Sequence, residues 1–246
     1  LGADSKSNFS LLPSMSDIFG KGSRGNNNNG EPIIKIKKGF NVKLEGEPSG
    51  EIINIHGTRY AMKPTSFQGI SPIPKLTVDI GDNVKAGDEL FFDKKRPEIR
   101  YVSPVSGEVI EVNRGAKRRI VEIVLLADKT IDYKQFDLPK QLDAPSIIDT
   151  MLQSGIWSLL RQRPFNVVPD HNVRPKNIFI STFDTAPYAV DTRAIVEGKR
   201  DHLVKGLEVL SELTDGEIYL GMNADAKEIP NELSAELLSK IFIDQR

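Results

Sequence analysis

Residues 92–124 read Phe92-Asp-Lys-Lys-Arg-Pro-Glu-Ile-Arg-Tyr-Val-Ser-Pro-Val-Ser-Gly-Glu-Val-Ile-Glu-Val-Asn-Arg-Gly-Ala-Lys-Arg-Arg-Ile-Val-Glu-Ile-Val124. Two alternating runs, Glu108 to Val112 and Ile120 to Val124, flank a turn expected on Asn113, Arg114 and Gly115. Val109, Val112, Val121 and Val124 place β-branched carbons where a pleated, half-buried surface takes them. Gly107 and Gly115 supply the backbone angles of tight turns. Upstream, a strand around Lys75 to Ile80, a turn at Gly81-Asp82-Asn83 and a strand from Glu89 to Phe92 follow the same scheme. Two similar hairpin units packed face to face predict a flattened β-sandwich with a hint of internal two-fold symmetry.

The 246-residue chain has room for one large or two small domains with a sizeable core. Its net charge of −1 gives no global attraction to nucleic acid or anionic lipid. Without cysteine it has no thiolate nucleophile, no cysteine-ligated iron–sulfur cluster and no disulfide. No apolar run approaches the ~20 residues of a membrane helix. His56, His171 and His202 are scattered, without metal-ligand spacing.

Residues 1–32, rich in Ser, Gly and Asn, read as a disordered leader or tag-like extension. Order is expected from Ile33, where Ile34, Ile36, Val42 and Leu44 alternate with lysines, and a β domain over residues 33–130. Residues 131–175 read as a linker with one helix, N-capped by Ser146 and bearing Ile147, Ile148, Met151 and Leu152. Residues 176–246 carry an apolar strand at Ile178 to Ser181, a helix face of Leu203, Leu207 and Leu210, and a strand at Glu217 to Gly221. That is a βαβ unit with a right-handed crossover. A last helix is expected from Asn231, and the two-strand sheet reads as part of a larger, incomplete domain.

These residues resemble the A-type subunit family of the bacterial sodium-translocating NADH:quinone oxidoreductase (Na+-NQR). The likeness rests on Lys35-Ile-Lys-Lys-Gly-Phe40, Met62-Lys-Pro-Thr65, Ser103-Pro-Val-Ser-Gly-Glu-Val109 and Asn113-Arg-Gly-Ala-Lys-Arg118. It continues through Gly155-Ile-Trp157, Arg163-Pro-Phe165 and Ile178-Phe-Ile-Ser-Thr-Phe-Asp-Thr-Ala-Pro187. The leader and the loop from Ser66 to Pro74 depart from the pattern. The resemblance implies a barrel-sandwich hybrid β domain, like that of lipoyl and biotinyl carriers, followed by a Rossmann-like α/β region. It further implies a position peripheral to the bacterial inner membrane on its cytoplasmic side, held there by integral membrane partners and associated with ubiquinone. In such a translocase NADH, FAD, FMN and iron–sulfur centres belong to partner subunits, and none is expected on this chain. An Rnf-type electron-entry subunit, more distantly similar, carries the cysteine clusters that this chain lacks.

A lipoyl-like fold raises the question of a carrier lysine, with Lys94-Lys95-Arg96-Pro97 at the corresponding hairpin tip. No methionine flanks it, and a solvated tip is the plainer reading. After Ile180 no glycine occurs before Gly198, so a dinucleotide fingerprint is missing. A crevice at the carboxyl end of the 178–183 strand is the expected ligand position. Phe183, Asp184, Thr185 and Tyr188 are its candidates, with Arg163 and Phe165 nearby. Aromatic walls and hydroxyl donors suit a quinone head. The alternative makes Phe183 and Phe165 core residues and Asp184 a turn cap. Arg114, Lys117, Arg118 and Arg119 read either as a docking surface for an acidic partner or as a solvated rim.

Overall fold

A computed structural model describes residues 24–26, 32–34, 45, 51–184, 186, 188–190 and 192–221. Ile36, Val42, Leu44, Thr185 and the helix expected from Asn231 lie outside them. Strand β1 (Arg24–Asn26) pairs antiparallel with β2 (Pro32–Ile34).

The β domain holds β3 (Arg59–Met62), β4 (Lys75–Leu76), β5 (Asn83–Val84), β6 (Glu89–Asp93), β7 (Arg96–Val102), β8 (Gly107–Arg114) and β9 (Ile120–Ala127). One sheet has the order β3-β9-β8-β5 and the other β4-β6-β7. The expected sandwich of two sheets is therefore present, with different pairing upstream. The stretch expected as one hairpin divides between the sheets: β4 pairs with β6, whereas β5 crosses to pair with β8. A turn at Gly81 makes the crossing, its N–H donating to the Val109 carbonyl at 2.8 Å. β5 thereby ties the edge of one sheet to the connection leading into the other.

The turn after β8 also sits later than expected. β8 continues through Asn113 and Arg114, because Asn113 bridges Glu111 and Glu122 across the strands at 3.2 and 3.0 Å. The chain reverses at Ala116 to Arg119 instead, the Arg119 N–H donating to the Ala116 carbonyl. Pro97 lies in β7, an edge strand, where its missing N–H leaves no ladder bond unmade.

Leu90, Phe91, Ile99, Tyr101, Val109, Ile123 and Leu125 fill the space between the sheets. Fully burying each large apolar side chain contributes about 1.5–3 kcal/mol. Tyr101 stacks on Phe91 at 4.8 Å and meets Phe67 edge-on at 4.6 Å. Its hydroxyl is buried without a hydrogen-bond partner, and burial pushes its pKa up to about 12. At Gly107 a Cβ would overlap the Leu126 carbonyl oxygen, so only glycine lets β8 approach β9 there.

Helix α1 (Ala144–Gln153) extends this core through Ile147, Met151 and Leu152. Its cap is Asp143, accepting from the Ser146 N–H at 2.9 Å, rather than Ser146. Pro145 suits the first turn of that helix, where backbone N–H groups lack intrahelical partners. Gly155, with φ 76°, ends the helix against Val102, and a short turn (Ile156–Leu159) buries Trp157. Trp157 donates to the Pro169 carbonyl at 3.0 Å.

β10 (Ile178–Ser181) and β11 (Ile218–Gly221) pair in parallel, joined through α2 (Thr192–Val196) and α3 (Arg200–Ser211). The α/β unit expected after the β domain is thus present, with α2 an added helix.

Two mutants test this packing by thermal melting. Gly107→Ala should destabilise by about 3 kcal/mol, since backbone blocks the new methyl. Gly206→Ala, in open space on α3, should stabilise by about 0.5–1 kcal/mol. Alkaline melts test the tyrosine. The unfolded Tyr101 ionises near 10.0 and the folded one near 12. Its stabilising contribution is therefore whole below pH 10 and falls, by on the order of 2–3 kcal/mol, as pH rises between those values. Tyr101→Phe should remove that part of the alkaline loss.

Candidate functional site

Two surfaces carry the candidate residues. The first is the carboxyl end of β10, where the chain leaves the sheet between Thr182 and Tyr188. Both the N–H and the hydroxyl of Thr182 lie 3.0 Å from the Gly221 carbonyl, holding the two strand ends together. Ser181 donates to the Phe183 carbonyl at 2.8 Å, and Asp184 accepts from the Ala186 N–H at 2.8 Å. Asp184 thus caps a turn. Tyr188, with φ 59°, sends its hydroxyl to the Glu45 carbonyl at 2.8 Å. Phe183 and Tyr188 remain 40% and 56% exposed, leaving two aromatic faces at the strand end.

Arg163 and Phe165 sit in the loop after Trp157, where Gln162 and Val167 form an antiparallel bridge. Phe165 is 75% exposed and is not a core residue. Among the described residues no hydrogen bond, ion pair or ring contact joins this pair to Phe183, Asp184 or Tyr188. Thr185 lies outside the described residues. Sequence reasoning missed another aromatic pair: Phe179 stacks on Tyr219 at 4.9 Å across β10 and β11. The run from Ile178 to Ser181 reads as wholly buried, yet Phe179 is 68% exposed while Ile218 and Leu220 are buried. Its alternation was the available signal, masked by three consecutive apolar residues.

The second surface is one end of the sandwich. β6 and β7 reverse at Lys94 and Lys95, and β8 and β9 reverse at Ala116 to Arg119. β7 runs away from the first turn and β8 runs back, so both turns share an end. Between them lies a 410 Å³ groove lined by residues 73–79 together with Lys94, Arg114 and Ile120. Lys117 and Arg118 take φ values of 55° and 62° at the centre of their turn. A turn with two such residues ordinarily carries Asn-Gly, and left-handed backbone costs a larger side chain about 1 kcal/mol or more.

Lys75, Lys94, Lys95, Arg114, Lys117, Arg118 and Arg119 are all exposed, and among the described residues none forms an ion pair. At the opposite end, Lys85 meets Asp132 at 2.8 Å and Lys134 meets Asp88 at 3.1 Å. The hydrogen bond to Asp132 raises Lys85 above its ordinary pKa. Sequence reasoning grouped four of the seven tip cations and named Lys94 and Lys95 separately as a hairpin tip, but not Lys75. Strand direction brings the three groups to one end.

The 94–95 turn is anchored from below by Asp93, which is fully buried. Asp93 accepts from the Lys95 N–H at 3.2 Å and faces Arg96, whose Nε stands 3.7 Å from Oδ2. Arg96 also donates to the Val168 carbonyl at 2.7 Å. The turn is held against the body, unlike a free carrier arm. Among the described residues no group of three or more His, Asp or Glu is placed to hold a metal ion. His171 lies 4.0 Å from the Asp170 carboxylate, while His56 and His202 are exposed. No described helix is long and apolar enough to cross a membrane.

Two family models match the chain: the NqrA N-terminal barrel-sandwich hybrid domain over residues 34–128 and the NqrA second alpha/beta domain over residues 142–242. The chain is 38% identical over 194 residues to the A-type subunit of the Na(+)-translocating NADH-quinone reductase of Vibrio vulnificus strain YJ016, covering 76% of this chain and 43% of that protein. It is 35% identical over 203 residues to the corresponding protein of Shewanella frigidimarina, covering 80% and 45%. With that of Saccharophagus degradans it shares 32% identity over 216 residues, covering 85% and 47%. The chain spans about half the length of these curated relatives. The two sheets of residues 59–127 are the barrel-sandwich hybrid, the parallel β10–β11 pair with its helices is the second domain, and the chain belongs to the NqrA family, that of the A-type subunits of Na(+)-translocating NADH-quinone reductases.

Proposed function

We propose that this chain serves as a peripheral part of a sodium-translocating NADH:quinone reductase. In this reading it contributes a quinone-associated surface and docking contacts, while electrons pass through cofactors on partner subunits. The observation that carries it is the match to both NqrA domains in order, together covering residues 34–128 and 142–242. The relatives are named as subunits of an NADH-quinone reductase. No described helix is long and apolar enough to cross a membrane, and in this reading partner subunits hold the chain at the membrane, on its cytoplasmic side.

Within this assignment the end of β10 is the proposed quinone surface. Phe183 offers a flat wall, and the Phe179–Tyr219 stack lies on the same small sheet. Arg163 and Phe165, exposed in the preceding loop, remain further candidates for this quinone surface. A second reading is a scaffold that binds no small molecule. It is favoured by the polar groups already occupied: the Tyr188 hydroxyl donates to the Glu45 carbonyl, and the Asp184 carboxylate accepts from the Ala186 N–H.

Titration with a short-chain ubiquinone analogue, read by quenching of Trp157 and by calorimetry, separates the two. Saturable binding is expected, with Phe183→Ala weakening it at least fivefold, as loss of an aromatic wall costs ~1 kcal/mol or more. Absence of saturable binding both here and in the full-length protein would replace the quinone surface by the scaffold.

A further inference from the structure

We propose that the groove beside β4 receives clustered carboxylates of a partner protein, entering between Lys94 and Arg114. This deepens the reading that the chain assembles with partner subunits, and rests on it. Three observations meet here. The groove measures 410 Å³, and its lining brings Lys75, Lys94 and Arg114 together with Ile73, Leu76 and Ile120. The cations around it have no ion-pair partners among the described residues, whereas Lys85 and Lys134 at the other end of the sandwich are paired. The Lys117–Arg118 turn holds two long cationic side chains on left-handed backbone, where Asn-Gly sits at less cost.

The groove's shape selects the occupant. A glutamate side chain lays its methylenes on Leu76 and Ile73 while its carboxylate reaches Lys94 and Arg114. The β4 strand beside the groove is only two residues long and lies at the edge of its sheet. Asp79 also lines the groove. A flat anionic lipid surface would meet that carboxylate unfavourably, whereas a partner with localised charge avoids it. Exposed pairs of this kind act mainly on association rate and register, which suits the joining of subunits.

The test uses a fluorescein-labelled peptide of six glutamates interrupted by two leucines. At 50 mM NaCl it should bind saturably, and roughly tenfold more weakly at 300 mM as screening shortens the field. Lys94→Glu with Arg114→Glu should weaken binding at least tenfold. Lys129→Glu, reversing an exposed cation beyond β9 at the other end, should change it less than twofold. Lys117→Asn with Arg118→Gly should raise the melting temperature while weakening binding, which separates recognition from folding damage. Equal loss with Lys129→Glu, or none with the groove variants, overturns the proposal. So does binding to 30% phosphatidylglycerol vesicles that depends on Lys94 and Arg114 without peptide binding. Displacement of the peptide by millimolar inorganic phosphate would make this a small-anion site and overturn it as well. Because the readout is the peptide, failure of quinone binding leaves this result unaffected. If the assembled complex forms but a carbodiimide never joins Lys94 to a carboxylate of another subunit, this inference alone falls.

Discussion

A carboxylate with no exposed surface sits at the foot of a two-residue turn, and three segments take their positions from it. Moving an ionised carboxylate into a protein interior costs several kcal/mol unless charge and hydrogen bonds compensate. Asp93 Oδ1 accepts from the Lys95 N–H and, at 3.4 Å, from the Ser71 N–H, while Oδ2 has no hydrogen-bond partner and stands 3.7 Å from the Arg96 Nε. Ser71 belongs to the loop before β4, and Arg96 reaches onward to the Val168 carbonyl in the segment after α1. The hairpin tip, the 66–74 loop and the 161–171 loop therefore meet at one buried carboxyl group.

This clasp changes what a lipoyl-like hairpin can do. In a carrier, the tip lysine travels with its group between distant sites. Here the backbone of the tip is tied to the body, and the exposed side chains of Lys94 and Lys95 project from an ordered turn. An ordered backbone suits docking, because part of the entropy of ordering the surface has already been met in folding. The sandwich is consequently asymmetric: ion pairs such as Lys85–Asp132 and Lys134–Asp88 close one end, and a basic rim marks the other. An overall charge of −1 conceals this separation entirely.

The α/β region follows the same division between buried and presented surface. Ile178, Ile180, Ile218 and Leu220 alternate with Phe179 and Tyr219 along the paired strands, and the aromatic rings stack on the more open side. Helix α3 supplies Leu207 to the buried side of this unit. Leu213, packed with the main cluster, links the unit to the β domain and α1.

The chain's local chemistry alone determined the existence of the β domain, the helix near residue 150 and the βαβ unit. Period-two alternation around Val109 and Val121, the leucines near 207 and the glycine at 155 act over a few residues, and a few residues suffice to read them. The missing cysteine likewise settled what chemistry the chain lacks. Tertiary structure decided the partners. Alternation records which face of a strand is buried but not which strand lies beside it, so the crossing of β5 to β8 was not legible. Capping depends on where a helix starts in space, which moved the cap from Ser146 to Asp143. Strand direction brought Lys75 and Lys94 to Arg114, while leaving Phe165 and Phe183 on separate loops. Distances between residues far apart in sequence follow from long-range packing, and packing is a property of the folded chain.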